Sequence, residues 1–350
     1  MRHIEDSEGR EGRRGRRRPG TSYGSPPIHK PHWKWLIISY FFLGGLSAGS
    51  SIVATVADLF GSRDDRDTVR AGRYLALLAV IPCPILLILD LGRPERFINM
   101  LRVVKLRSPM SLGTWALLAY SGFVTISTAA QASEDGLDRG RLPWLRRLPA
   151  GLIGALGTPF GFFLGGYTGV LLGATAVPIW AKNARLLGPL FLSSALAVSC
   201  AAISLVVALL PGRRDGRQGA LARLQQAETL AAGGELLAVA AIHLHSGRLG
   251  APLSEGRIGR LHLFGSVGMG IVFPLVLHRV GRAVGLPQRL VTVVASVASL
   301  IGGFILKYAV VMAGHDSADD PAATFEFAGG TLPAGMEPVA PRTDAPDAGR

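Results

Sequence analysis

The sequence predicts an all-α membrane protein: a bundle of about eight transmembrane helices with short loops and disordered tails. Three observations carry that expectation. Hydrophobic residues make up 49% of the 350 positions and charged residues 17%, but the charges gather in tails and loops and leave long stretches nearly free of them. Those stretches meet or approach the roughly 20 residues a helix needs to cross a bilayer core of about 30 Å. Glycine is also abundant, at 45 residues, which suits helices in lipid because small residues let backbones approach closely.

The chain opens on a basic tail, residues 1–32, where Arg10, Arg13, Arg14, Arg16, Arg17 and Arg18 stand among Gly and Pro. The net charge of +13 comes partly from this run, which reads as a disordered arm beside the first span rather than a nucleic-acid arm. The apolar run that follows is too long and wrongly flanked for a cleavable signal peptide. The expected spans are 33–60, 74–91, 110–130, 151–180, 187–210, 221–245, 261–277 and 290–314, in a membrane domain of residues 33–314. Several glycines and Pro159 open the fourth, so its spanning part is expected to begin near Phe160. Gly44, Gly45 and Gly49 on the first helix, with Gly165, Gly166, Gly169 and Gly173 on the fourth, suggest a close contact between the two. Residues 315–350, rich in Ala, Pro, Asp and Gly, read as a disordered tail.

Eight spans put both termini on one face, here called the terminal face, with the loops around 93–107, 182–185 and 248–260. The opposite face carries the loops 61–73, 134–147, 212–223 and 279–289. Lys and Arg populate both sides, so charge bias leaves the orientation open. The cysteines, Cys83 and Cys200, fall inside predicted helices, which leaves no disulfide framework and no cysteine-ligated cluster in this chain.

Ionisable groups inside membrane helices are costly, which makes each one a site candidate. Asp90 ends the second helix, where Arg93, Arg96 and Arg102 stand ready to neutralise it in an interfacial cluster. Glu228 and Glu235, seven residues apart, share one face of the sixth helix, in keeping either with bonded structural residues or with a proton wire. Lys307, well inside the last helix, either pairs with a carboxylate or snorkels to the interface. His243 and His245 lie two apart and point in nearly opposite directions, and His262 opens the next helix. That pattern suits interfacial histidines better than a haem pair. Tyr40 and Tyr167 lie at membrane depth beside glycines, where a flat ligand has room and each hydroxyl needs a partner.

The segment from Asp90 to Trp115, DLGRPERFINMLRVVKLRSPMSLGTW, strongly resembles a signature of the NrfD/PsrC family, the membrane subunits of polysulfide-reductase-like respiratory complexes. FLGGLSAGS in the first helix, YTGVLLGATAVPIW in the fourth and GGFILKYAVVMAG in the last resemble the family pattern in the same order, so the resemblance covers roughly residues 33–314. It implies a multi-pass protein of the bacterial inner membrane that binds menaquinone or another quinone non-covalently. The quinone would sit near the face where a ferredoxin-like iron–sulfur subunit docks. Electrons would pass between that subunit and a catalytic partner, often a molybdopterin oxidoreductase, with no haem or iron–sulfur cluster in this chain.

On that resemblance Tyr167 matches a quinone-contacting tyrosine, and Tyr40 stands where such proteins carry a histidine. Tyr40 can hydrogen-bond a quinone carbonyl but cannot accept a proton near neutral pH. Asp90 is then expected to shape the quinone mouth. The basic loop with Arg93, Arg96, Arg102 and Lys105 is expected to dock the acidic partner, and Glu228 and Glu235 to carry protons. The chain would be the quinone-reactive subunit of a complex rather than an enzyme alone. Two rivals stand beside this reading. One is a purely structural membrane anchor; the other is an ion-coupled secondary transporter, for which no repeated pair of broken helices is apparent.

Overall fold

A computed structural model describes residues 33–91, 108–137, 143–211 and 215–327, with isolated positions 95, 97, 102 and 105 between the second and third spans. Among the described residues every regular element is helical, and eight helices are long and apolar enough to cross a membrane. These spans are Trp35–Phe60, Arg63–Asp90, Pro109–Glu134, Ala150–Gly173, Ala184–Leu209, Arg217–Ser254, Gly256–Ala283 and Gln288–Asp319. The protein is therefore a multi-pass, all-α membrane protein. Odd-numbered spans run away from the terminal face and even-numbered spans run toward it.

Several boundaries differ from the sequence expectation, each for a local reason. The second span begins about ten residues early, at Arg63, where Ser62 and Asp65 cap each other: the Ser62 amide donates to the Asp65 carboxylate at 2.8 Å. Charge hides this start in the sequence, and the fold absorbs it in ion pairs. Arg73 is buried and bonds Asp58 and Gln131, each at 2.6 Å. Arg223 and Arg217, from the sixth span, hold Asp65 at 2.8 Å and Asp67 at 2.9 Å. The second span is then broken at Ile81, with Pro82 opening a fresh helix, Pro82–Asp90. Proline is tolerated at that first position because its missing N–H would lack an intrahelical partner anyway.

The fourth span ends at Gly173, and Pro178–Lys182 forms a separate short helix. Trp180 therefore lies outside the span, stacked on Trp33 at 5.6 Å with its indole N–H donated to the Val310 carbonyl at 2.9 Å. The last span continues past residue 314 to Asp319, and a further helix, Pro321–Phe327, buries Ala322 and Ala323.

The glycine contacts need a correction. Gly161 and Gly165 do face the first helix, at Ile52 and Ala48. The closest approaches, however, are to the fifth span. A methyl on Gly49 would lie 2.6 Å from the Ala195 carbonyl, one on Gly173 would lie 2.6 Å from the Ala184 backbone, and Gly169 backs onto the Leu187 carbonyl. The fifth span wedges between its neighbours and carries the largest buried share of any span. Between the seventh and eighth spans Gly270 and Gly302 bring two backbones together, and a methyl on Gly270 would stand 2.7 Å from the Gly302 Cα. The seventh span is wound as a π-helix over Leu261–Val272. Such wide turns are rare and gather at functional sites.

Candidate functional site

Among the polar side chains buried in the bundle, two groups hold the residues singled out in the sequence. The first lies near the terminal face. Tyr40 is five residues past Trp35 and Tyr167 six residues before Gly173, which places both about 8–9 Å inside their helix ends at 1.5 Å per residue. Both are buried, and Tyr40 lies within electrostatic reach of Tyr167 and Cys83. The Tyr167 ring stacks on Phe163, with centroids 5.1 Å apart, and rests directly on Gly113 of the third span, where any side chain would overlap it. Its hydroxyl donates to the Pro109 carbonyl at 2.5 Å. Pro109 and Gly113 both belong to the Asp90–Trp115 segment, so the fourth-helix tyrosine is seated by the end of that segment. Asp90 is the last residue of the second span, half-buried and engaged by other groups.

Pro109 also explains the local fold. A helix leaves its first four N–H groups without partners, and a proline there forfeits nothing. Ser108 caps the same end, accepting from the Ser111 amide.

The second group runs along the sixth span. Glu228 and Glu235 are both buried and about 10 Å apart along the helix. Ser299 donates to the Glu228 carboxylate at 2.8 Å. Two small cavities of about 10 Å³ each flank the acids, one at Glu228 with Gln225, His278 and Ser299, the other at Glu235 with Ser266 and Ser299. Each has room for about one water, and Ala197, Gly270, Ile271 and Ser299 wall both. Lys307 does not snorkel. It is buried, with its ammonium nitrogen 4.1 Å from the centre of the Phe191 ring and within charge reach of Glu235. Nearer the terminal face the His243 and His262 rings stack in parallel at 5.7 Å.

The fold thus brings Tyr40 and Tyr167 to one level of the bundle and Glu228 and Glu235 to one buried strip. Arg102 and Lys105, in the segment beyond Asp90, are exposed, while Arg93 and Arg96 lie outside the described residues. Residues missed at the sequence level are Pro109 and Gly113, which seat Tyr167, and the serines Ser194, Ser266 and Ser299 around the acids. Serines among alanines and glycines read as packing. One signal was present: Ser299 and Lys307, eight apart, share a face of the last helix.

Fold and site together define a helical membrane protein with a tyrosine pair near one face and a strip of buried ionisable groups through its interior. The chain belongs to the NrfD family, since the family model described as "Polysulphide reductase, NrfD" matches residues 27–317. It is 29% identical over 264 residues to a polysulfide reductase chain of Wolinella succinogenes, covering 70% of this protein and 82% of that one. It is 27% identical over 309 residues to protein NrfD of Escherichia coli, covering 81% and 95%. A selenate reductase subunit of Mesobacillus selenatarsenatis is 24% identical over 335 residues, covering 83% and 74%.

Proposed function

We propose that this chain is the quinone-reactive membrane subunit of a respiratory oxidoreductase complex, binding a quinol or quinone beside Tyr167 and exchanging electrons with an iron–sulfur subunit at the terminal face. The seating of Tyr167 carries the reading. A family-matched tyrosine is buried near one membrane face and locked between Phe163, Gly113 and the Pro109 carbonyl. Two of the similar proteins are named as parts of reductases, which supports a place in a multi-subunit complex.

The hydrogen bond also says what the site offers. In this state the Tyr167 proton is committed to Pro109, and the phenolic oxygen still has an acceptor lone pair. That lone pair suits a quinol hydroxyl. A quinone carbonyl needs the tyrosine proton, so Tyr167 would turn off Pro109 to donate to it. Quinol oxidation releases two electrons and two protons. The electrons leave toward the partner's cluster. Glu228 and Glu235 carry protons between the site and the opposite face, where the sixth span begins. Asp90 shapes the mouth of the site, and Arg102 and Lys105 present a basic surface to the acidic partner.

The test is quinol binding by the purified protein, followed through quenching of a fluorescent quinol analogue. Tyr167→Phe removes one hydrogen bond worth about 1 kcal/mol and is expected to weaken binding roughly 5- to 10-fold with the fold intact. Saturable binding unchanged by the substitution would keep the ligand and move the site. Absence of saturable binding by the protein together with its iron–sulfur partner would leave the anchor reading.

A further inference from the structure

Among the described residues, three polar atoms buried in the bundle have no hydrogen-bond partner and lie around one strip: Lys307 Nζ, Ser266 Oγ and His262 Nδ1. Leaving such an atom unpaired in an interior costs about 1–3 kcal/mol, and an unpaired ammonium costs more. Three together point to shared partners. Two of them, together with Ser194, surround Glu235. Ser194 of the fifth span is beside its carboxyl, Ser266 of the π-helical turn lines its cavity, and Lys307 of the eighth span is near enough for the two charges to interact without bonding directly. The side chains of Glu235, Lys307 and Ser266 are all nine-tenths or more buried.

We propose that Lys307 is a proton carrier paired with Glu235, joined to it through water held by Ser194 and Ser266. This deepens the reading of Glu235 as a proton-transfer residue and does not rest on the tyrosine site. The step conserves charge: an ammonium and a carboxylate become an amine and a carboxylic acid as one proton crosses the bridging water. The ion pair and the neutral pair differ only by the position of a single proton and both carry zero net charge, so the proton passes between Glu235 and Lys307 without burying net charge in lipid, which would be far more costly. Phe191 fixes the lysine end, holding the ammonium by its π-face. Phe191 packs edge-on against Phe41, and Phe41 against Tyr40, so an aromatic wall stands between Lys307 and the tyrosine pair.

Among the described residues, the groups that face the pair are few. The fifth span brings Ser194, and Cys200 lies deeper, by Glu228. The seventh brings Ser266, with His262 toward the terminal face and His278 toward the opposite face. The eighth brings Ser299, bonded to Glu228. The π-helix matters for this layout because its wide turn sets Ser266 and Gly270 against the same cavity.

Infrared difference spectroscopy of the protein in lipid nanodiscs, titrated with pH and exchanged into deuterium oxide, reads the pair directly. The native protein should show the carbonyl stretch of a protonated carboxyl group that is lost in Glu235→Gln and that shifts on deuteration within seconds. In Lys307→Met the band should be stronger than in the native protein, because Glu235 then has no lysine to take its proton. Ser266→Ala removes no charge and should shift the band by weakening the hold on the water, so it decides the matter if Lys307→Met does not fold. A Glu235 band that ignores both Lys307→Met and Ser266→Ala, or that resists deuteration for hours, overturns the proposal. Tyr167→Phe should leave the band alone. Failure of quinol binding with this response intact would therefore remove the quinone reading and keep Lys307.

Discussion

Tyr167 shows how a proposed site residue depends on neighbours that carry no chemistry. Its hydroxyl is held by a backbone carbonyl and its ring by Phe163 and a bare glycine. Gly113→Ala leaves every titratable group untouched and drives a methyl into the ring. The expected result is a loss of about 1–3 kcal/mol in stability from overpacking, together with quinol binding weakened at least as much as by Tyr167→Phe. Thermal unfolding in detergent and analogue quenching check the two parts. Binding at native strength in Gly113→Ala would show that the ring position is irrelevant to the ligand. Tyr167 was legible in the sequence because the motif around it is specific. Gly113 was not, because glycine in a membrane helix signals close approach without saying to what. The serines near Glu235 were hidden for a related reason: a hydroxyl matters only once its neighbours are known.

At the scale of elements, the spans were recognisable wherever apolar residues run unbroken, and their ends were blurred wherever charge is neutralised by a distant partner. Arg73 illustrates this. Its cost in a membrane helix is removed by Asp58 from the first span and Gln131 from the third, neither of which a local window can supply. The contact between the seventh and eighth spans gives a sharp test. Gly302→Ala places a methyl against the Gly270 backbone and should cost about 1–3 kcal/mol, lowering the unfolding temperature and opening the wall shared by the two cavities. Gly233→Ala on the sixth helix meets nothing within 4 Å and should be neutral or stabilising by up to about 1 kcal/mol, the helix-propensity difference. Equal effects from the two would show that helix propensity, and not backbone approach, governs this bundle.

For the whole molecule, the even number of spans fixes which groups share a face. Tyr40, Tyr167, Asp90, Arg102 and Lys105 all belong to the terminal side, so the proposed ligand site and the proposed docking surface lie at the same end. Reversing charge in Arg102→Glu with Lys105→Glu should reduce capture of the proposed iron–sulfur subunit about tenfold or more, because like charges brought together across an interface are costly. Raising the salt concentration should weaken the native association in the same direction. Quinol binding by the protein alone should be unchanged. Unaltered capture would place the partner on another surface.

The sequence by itself determined that the protein crosses the membrane about eight times, that it resembles one family, and that Tyr40, Tyr167, Glu228, Glu235 and Lys307 stand at membrane depth. Each follows from one-dimensional information: run length against bilayer thickness, motif order, and rise per residue. Tertiary structure alone decided that Tyr167 is anchored by the third span, that the glycines chiefly face the fifth, and that Lys307 approaches Glu235 rather than the interface. The reason is that helices in lipid have no hydrophobic drive to choose partners. The choice falls to shape and to satisfying a few polar groups, and both depend on residues far apart in the sequence.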